Sequence, residues 1–401
     1  MRSWNFHTAG SLVFGRDCIR ELSDVLKRLK ADRVFLITDA NLGRAGITDR
    51  VIEAMKPAGA AVSVFDRVTP EPGLGLIREC LQDAKAARPG VVIGLGGGSN
   101  MDAAKLVAIV LAHGGDPTDY VGENRVPGPI GPLICIPTTA GTGSEVSAAA
   151  VFTDTDRHIK VSCLSNHIRP MVALVDPMLT VGCPARVTAD SGIDALTHAI
   201  EAYTAVDNDA YSLPAGETSV YQGKNPIADA MATECITLVS RYLRRAYRDG
   251  NDLEARDGMA LAATLGGLAF SNAGVALVHA MEYPVGGAVH VSHGAGNGLL
   301  LPFVMRYNLT ARIREFANIA LLLDAADVQA RDEVNAARAV EAVERLKSDI
   351  GIPARLRDLG VTDDMLPGFA EKAFGIKRLM RVNPRLPQSA EEILAIYRDA
   401  F

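Results

Sequence analysis

The chain has 401 residues, 48% of them hydrophobic and 22% charged, which predicts a globular protein with two domains and a sizeable core. Its net charge of -6, with no Lys/Arg-rich run, argues against nucleic-acid binding, which needs a concentrated basic surface. The opening segment MRSWNFHTAG lacks a basic region followed by an apolar core, so no secretory leader is expected. Six scattered cysteines (18, 80, 135, 163, 183, 235) without a CxxC predict small core residues of a reduced, cytoplasmic protein. In chain order, strands are expected at 33–38, 60–65, 91–94 and 133–137, with helices at 47–56, 74–87 and 99–113 between them. This βαβα rhythm predicts a mostly parallel sheet covered on both faces. Near Pro184 the strand signals stop. Helical patterns then run over 185–203, 226–248, 252–270, 336–349 and 390–401. The expectation is an α/β domain over 1–184 and an all-helical domain over 185–401. The apolar stretch 259–278, interrupted by Gly266, Gly267 and Gly274, reads as a buried helix pair rather than a membrane span. The polar segment 211–225 reads as a surface loop.

Two loops carry chemical signals. Gly94-Leu95-Gly96-Gly97-Gly98-Ser99 follows an apolar strand and opens a helix. Glycines admit a pyrophosphate close to the backbone, and a helix N-terminus offers unpaired N–H groups and a positive dipole. A strand-to-helix turn with a capping box of Ser99 and Asp102 explains the same residues, and the spacing is not GxGxxG. The second loop, 137–145, concentrates Thr138, Thr139, Gly141, Thr142 and Gly143 after the next strand, where open α/β sheets bind ligands. Thr142 and Glu145 also fit a capping box. Asp39, after the 33–38 strand, suits ribose hydroxyls and would repel a 2′-phosphate; a turn residue is the alternative.

Asp194 and His198, four apart on a helical pattern, share one face. With His279 and His293 they would make one carboxylate and three imidazoles, a set suited to a borderline divalent ion such as iron(II) or zinc. A DxxxH pair alone is equally a helix-surface hydrogen bond, and a single His on an apolar helix is usually a core residue.

Together these motifs resemble the iron-containing (group III) alcohol dehydrogenase family. GGGSNMDAAK (96–105), PTTAGTGSEV (137–146), DSGIDALTHAIEAY (190–203), NPIADA (225–230), LAFSNAGVALVHAMEYPVGG (268–287) and SHGAGNGLLLP (292–302) match in order and spacing, with NPR (383–385) and IYRDAF (396–401). The resemblance implies a dehydroquinate synthase-like fold with an α/β N-terminal domain and an all-α C-terminal domain. It implies metal ligands Asp194, His198, His279 and His293, holding Fe2+ or Zn2+. It implies NAD along Gly97, Gly98, Ser99, Thr138, Thr139, Thr142 and Lys160, with Asp102 as the loop carboxylate and Asp39 favouring NAD over NADP. The implied activity is hydride transfer between a small alcohol or aldehyde and NAD, the metal polarising the substrate oxygen in the cleft between the domains. Homodimers or assemblies built from them are implied as well.

Three departures stand out. Many members carry a second His where this chain has Tyr283, a candidate pocket residue and hydrogen-bond donor but, as a phenol, a poor base at neutral pH. His290 is read as a bystander. Lys377, Arg378 and Arg381 in GIKRLMRVNPR would favour a carboxylate-bearing alcohol such as 4-hydroxybutyrate if they face the pocket, although a solvated basic loop is the commoner case. Glu71, in PEPG, stands where some members have Asn. Rival readings are a hydroxyacid–oxoacid transhydrogenase, a lyase resembling dehydroquinate synthase and a catalytically silent scaffold subunit.

Overall fold

The structure, a computed structural model, describes residues 3–154 and 159–401. The chain divides into two compact units between Val181 and Gly182; residues 3–6 group with the second unit and Thr218–Val220 with the first.

The first unit is built on a six-stranded sheet. Its strands are β1 (Ser11–Phe14), β2 (Arg33–Ile37), β3 (Ala61–Phe65), β4 (Val91–Gly96), β6 (Leu133–Pro137) and β9 (Val172–Val175), in the order β1-β9-β6-β4-β2-β3. Every pairing in it is parallel. β5 (Gly122–Glu123), β7 (Ala149–Asp154) and β8 (Ile159–Leu164) form a separate small sheet, with β7 and β8 antiparallel. The connecting helices are α1 (Leu22–Arg28), α2 (Ala40–Arg44), α3 (Ile47–Met55), α4 (Leu74–Ala87) and α5 (Gly98–His113).

Alternation along the strands fixes which helix covers which face. Val34 and Leu36 of β2 join Ile93 of β4 and Ile134 of β6 in a core with Leu22 and Val25 of α1 and Val51 of α3. Phe35 and Ile37 face the other way, into a core with Ile77 of α4 and Leu106 and Ile109 of α5. Both faces are therefore buried, which is why the central strands read as nearly continuous apolar runs. Strands β1 and β9 and the small sheet lie outside the rhythm read from the sequence. Four-residue runs such as VALV have too little length to show a period.

The second unit is helical: α6 (Ala185–Thr204), α7 (Pro226–Arg248), α8 (Leu253–Ala273), α9 (Leu277–Val289), α10 (His293–Asn308), α11 (Ile313–Leu322), α12 (Asp332–Asp349), α13 (Leu366–Gly375), α14 (Lys377–Met380) and α15 (Ala390–Ala400). Asn225 caps α7 by accepting from the Ala228 N–H, and Pro226 opens the helix, where its missing N–H costs nothing. α8 and α9 meet at a bend of 106°, and among the described residues no single helix is long and apolar enough to cross a membrane. Segment 211–225 has no helix or strand, as expected, but it is not simply a surface loop, because Tyr211 and Tyr221 are buried.

Glycines allow a close contact between α10 and α6. A Cβ on Gly294 would lie 1.9 Å from the Asp190 carbonyl oxygen, and one on Gly298 would lie 2.6 Å from Ile193 Cγ2. These two residues, four apart on α10, face α6, so the glycines of SHGAGNG let two helix backbones approach rather than bind phosphate. Gly296 faces the other way and leaves room for Glu282, whose Cγ would be 2.8 Å from an added Cβ.

Candidate active site

In the helical unit, α6, α9 and α10 bring the four residues singled out by type and spacing into one cluster. Ligand-capable atoms of Asp194, His198 and His279 lie within 4.8 Å of one another, and all three residues are buried. His293, more exposed, joins through Asn297: the Asn297 Nδ2 lies 2.8 Å from Asp194 Oδ1, 3.2 Å from His279 Nε2 and 3.1 Å from His293 Nε2. One amide NH2 has two hydrogens for these three acceptors. The cluster thus holds more inward-facing acceptor capacity than its neighbours satisfy, which is the character of a cation site.

Two carboxylates orient the imidazoles. Glu201 Oε2 is 2.5 Å from His279 Nδ1, and its Oε1 accepts from the Val278 N–H at 2.7 Å, in the uncapped first turn of α9. Glu282 Oε2 lies 2.5 Å from His293 Nδ1. A neutral imidazole that donates from Nδ1 presents a lone pair at Nε2, so each glutamate fixes the tautomer a metal needs. His198 stacks on Phe270 with ring centroids 4.3 Å apart and lies 4.9 Å from His279. Burial would raise the Asp194 carboxyl pKa, but the three imidazoles and Asn297 outweigh it and hold it below the usual carboxylate range.

Glu201, Glu282 and Asn297 escaped the sequence reading. Their spacing carried the signal: Glu201 lies three residues after His198 and seven after Asp194, Glu282 three after His279, and Asn297 four after His293. Tyr283 is half-buried, its ring centroid 6.0 Å from that of His293. His290 is exposed and ends α9 in a left-handed conformation. Of the basic segment, Arg381 pairs with Glu217 at 2.9 Å and exposed Lys377 sits 3.3 Å from the Phe374 ring centroid. Both interactions give these cations partners outside the cluster.

In the α/β unit, the loops after β4 and β6 lie against each other. An added Cβ on Gly98 would meet Thr142 Cγ2 at 3.0 Å, and one on Gly97 would meet Thr139 Oγ1 at 3.7 Å. Buried Thr138 donates its N–H to Gly96 O. Gly96 has φ +140°, and a Cβ there would collide with the Asn100 side chain. α5 begins at Gly98, and no side chain caps it.

The capping boxes expected at Ser99/Asp102 and Thr142/Glu145 do not form. Ser99 lies inside the first turn of α5, and its Oγ accepts from the Glu71 N–H at 3.1 Å. Asp102 accepts from Ser144 Oγ at 2.7 Å and from the Val151 N–H at 2.9 Å, bracing the second loop to β7. No helix follows Thr142; its Oγ1 accepts from the Ser144 N–H in a tight turn. The bare α5 N-terminus leaves N–H groups for a phosphate. Asp39 caps α2 through Oδ1 and accepts from Asn100 Nδ2 at 2.8 Å through Oδ2, so it is tied to α5. Lys160 Nζ lies 2.6 Å from Glu71 Oε1.

Comparison with known proteins decides the family. Residues 9–177 match the family described as iron-containing alcohol dehydrogenase, and residues 215–401 match the C-terminal part of the Fe-containing alcohol dehydrogenase family. The chain belongs to the iron-containing alcohol dehydrogenase family. As a member it is an oxidoreductase that acts on alcohols. It is 36% identical over 397 residues to an NAD-dependent methanol dehydrogenase of Bacillus methanolicus, covering 99% of this chain and 100% of that one. It is 37% identical over 391 residues to a 1,3-propanediol dehydrogenase of Klebsiella pneumoniae, covering 97% and 96%. A crystal structure of 1,3-propanediol oxidoreductase superposes with a TM-score of 0.93 at 36% identity, covering 100% of both chains. Nicotinamide use and a metal site are family traits that the two loops and the buried cluster fit.

Proposed function

We propose that this chain is an NAD(H)-dependent dehydrogenase of small primary alcohols, diols and their aldehydes, with a divalent cation held by Asp194, His198, His279 and His293. The observation that carries the reading is the convergence of one carboxylate and the inward Nε2 atoms of His279 and His293, whose tautomers are fixed by Glu201 and Glu282. When bound, such a cation supplies Lewis acidity toward the substrate oxygen and NAD supplies the hydride acceptor.

The chain's own residues then have definable roles. Asp194 provides the one negative charge that partly offsets a dication. Glu201 and Glu282 engage the Nδ1 atoms of two imidazoles and so keep their Nε2 atoms aimed at the cation. Phe270, stacked on His198, walls that side with apolar surface. Tyr283 is assigned as a hydrogen-bond donor to the substrate oxygen, since it stands beside His293. Gly97, Gly98 and Ser99 at the α5 N-terminus are assigned to the pyrophosphate, with Thr138, Thr139, Thr142 and Lys160 beside it. Asp39 is assigned to the ribose hydroxyls, as a carboxylate oxygen that accepts one bond retains a second lone pair. Asp102 serves here as the brace of the second loop.

Iron(II) is the ion proposed, on the family match, with zinc able to satisfy the same donors. A homodimeric state and a cytoplasmic location are proposed on family resemblance alone; sedimentation of the purified chain tests the first.

The test is steady-state turnover of metal-defined protein on methanol, 1-propanol, 1,3-propanediol and 4-hydroxybutyrate, with NAD and with NADP. Preference for an uncharged alcohol with NAD is expected. Turnover that needs no added nicotinamide would instead indicate a transhydrogenase. A preference for 4-hydroxybutyrate would mean that a basic side chain of 377–381 serves the substrate after all.

A further inference from the structure

Away from the cluster, the helical unit contains a cavity of about 900 Å3 lined by α10, α12, α15 and the segment after α12. That volume is at the upper end of the roughly 300–1,000 Å3 typical of small-molecule sites. Its lining includes Phe303, ten residues beyond His293 on α10 and so about 15 Å further along that helix.

Three cations gather on that one ring. Arg306 and Lys347 lie 5.5 Å from its centroid and Arg355 lies 5.7 Å from it. A fourth, Arg385, stacks 4.2 Å over the Tyr307 ring in the same lining. Arg306 is neutralised by Glu344. Lys347, Arg355 and Arg385 form no ion pair with any carboxylate among the described residues. Arg355 donates to Asp399 O, and Arg385 donates to Tyr307 O and also bonds the Tyr307 hydroxyl.

Lys347 is the anomaly. It is 7% exposed, and its ammonium donates two long bonds of 3.3 Å, to Leu299 O and Ala354 O. A buried ammonium without an anion is costly, and natural interiors nearly always pair it. Burial pushes its pKa down to about 8, with Glu344 opposing and Arg355 and Arg306 adding to the shift. The acids in the lining do not answer the charge. Glu344 belongs to Arg306, Glu392 accepts from the Tyr307 hydroxyl, and Asp399 is exposed.

We propose that this cavity is a second small-molecule site, which binds a carboxylate- or phosphate-bearing organic anion through Lys347 and Arg355, with its apolar part against Phe303 and Tyr307. Two aromatic faces suit a ligand with a ring or short chain, and unpaired cations suit its charged end.

The experiment is calorimetric titration of the metal-loaded full chain with phenylacetate, phenyl phosphate and inorganic phosphate, for the wild type and for Lys347→Met, Lys347→Arg and Arg355→Gln. One saturable site per chain is expected for at least one of the two phenyl anions. Lys347→Met and Arg355→Gln weaken it about tenfold or more, while Lys347→Arg retains most of the affinity. Tighter binding of phenylacetate identifies a carboxylate ligand, and tighter binding of phenyl phosphate a phosphate ligand. Arg355 is exposed, so its variant reports even if Lys347→Met does not fold. No saturable binding of either phenyl anion to the wild type overturns the proposal. So does binding that Arg355→Gln leaves unchanged.

Discussion

The two candidate subsites are built by opposite means. In the helical unit the chemistry sits in side chains: one carboxylate and three imidazoles from three helices, two of the rings held by glutamates. In the α/β unit it sits in the backbone: glycines, hydroxyls and a bare helix N-terminus, while the nearby carboxylates Asp39 and Asp102 are already engaged with the protein. A side-chain site should fail sharply when one residue changes, because each donor is irreplaceable. A backbone site should fail gradually, because its N–H groups survive most substitutions.

The largest effect belongs to the cluster. His279→Ala should lower kcat/KM by about a thousandfold or more, the several kcal/mol expected of a lost metal, with an intact circular-dichroism spectrum. Retained turnover in that variant would remove the distinction between the two subsites.

Next come the residues that aim the ligands. Glu201→Gln and Glu282→Gln should each weaken metal affinity about 10–100-fold, read by competition with a chromophoric chelator and not only by activity. Equal affinity in both variants would mean that the imidazoles need no orientation. Gly294→Ala then tests whether the helix approach sets the site. An added Cβ 1.9 Å from Asp190 O should cost about 1–3 kcal/mol in denaturant unfolding and weaken metal binding with it. Loss of stability with unchanged metal affinity would separate packing from ligand placement.

The smallest effect is expected in the α/β unit. Asp39→Gly removes a cap and should cost only a few tenths of a kcal/mol for that, while raising the kcat/KM ratio of NADP to NAD. An unchanged ratio would leave Asp39 as a structural residue tied to Asn100 alone.

The same contrast explains what could be read from sequence. α4 and α7 were legible to the residue because their amphipathic period is clear, and in α7 the Asn225 cap and Pro226 agree with it: Leu74–Ala87 and Pro226–Arg248 stand as expected. The cluster was legible because His is scarce in this chain, at eight residues, and chemically specific. Its supporting shell was not, since Glu201 and Glu282 look like ordinary helix residues until a partner far along the chain reaches them. α9 and α10 were hidden for a related reason. Buried on most sides and broken by Pro284 and by close-contact glycines, they show no polar face. Ser99 was legible at the start of α5 and Thr142 as a loop residue, but their local bonds were not: Ser99 receives the Glu71 N–H, which no capping rule anticipates.

The most direct measurement is the metal stoichiometry of the chain, by elemental analysis after anaerobic reconstitution of protein stripped by a chelator. One divalent ion per chain, restoring turnover in the wild type and absent from Asp194→Ala and His279→Ala, is the outcome this account predicts. Full alcohol oxidation by wild-type protein confirmed to be metal-free would contradict it.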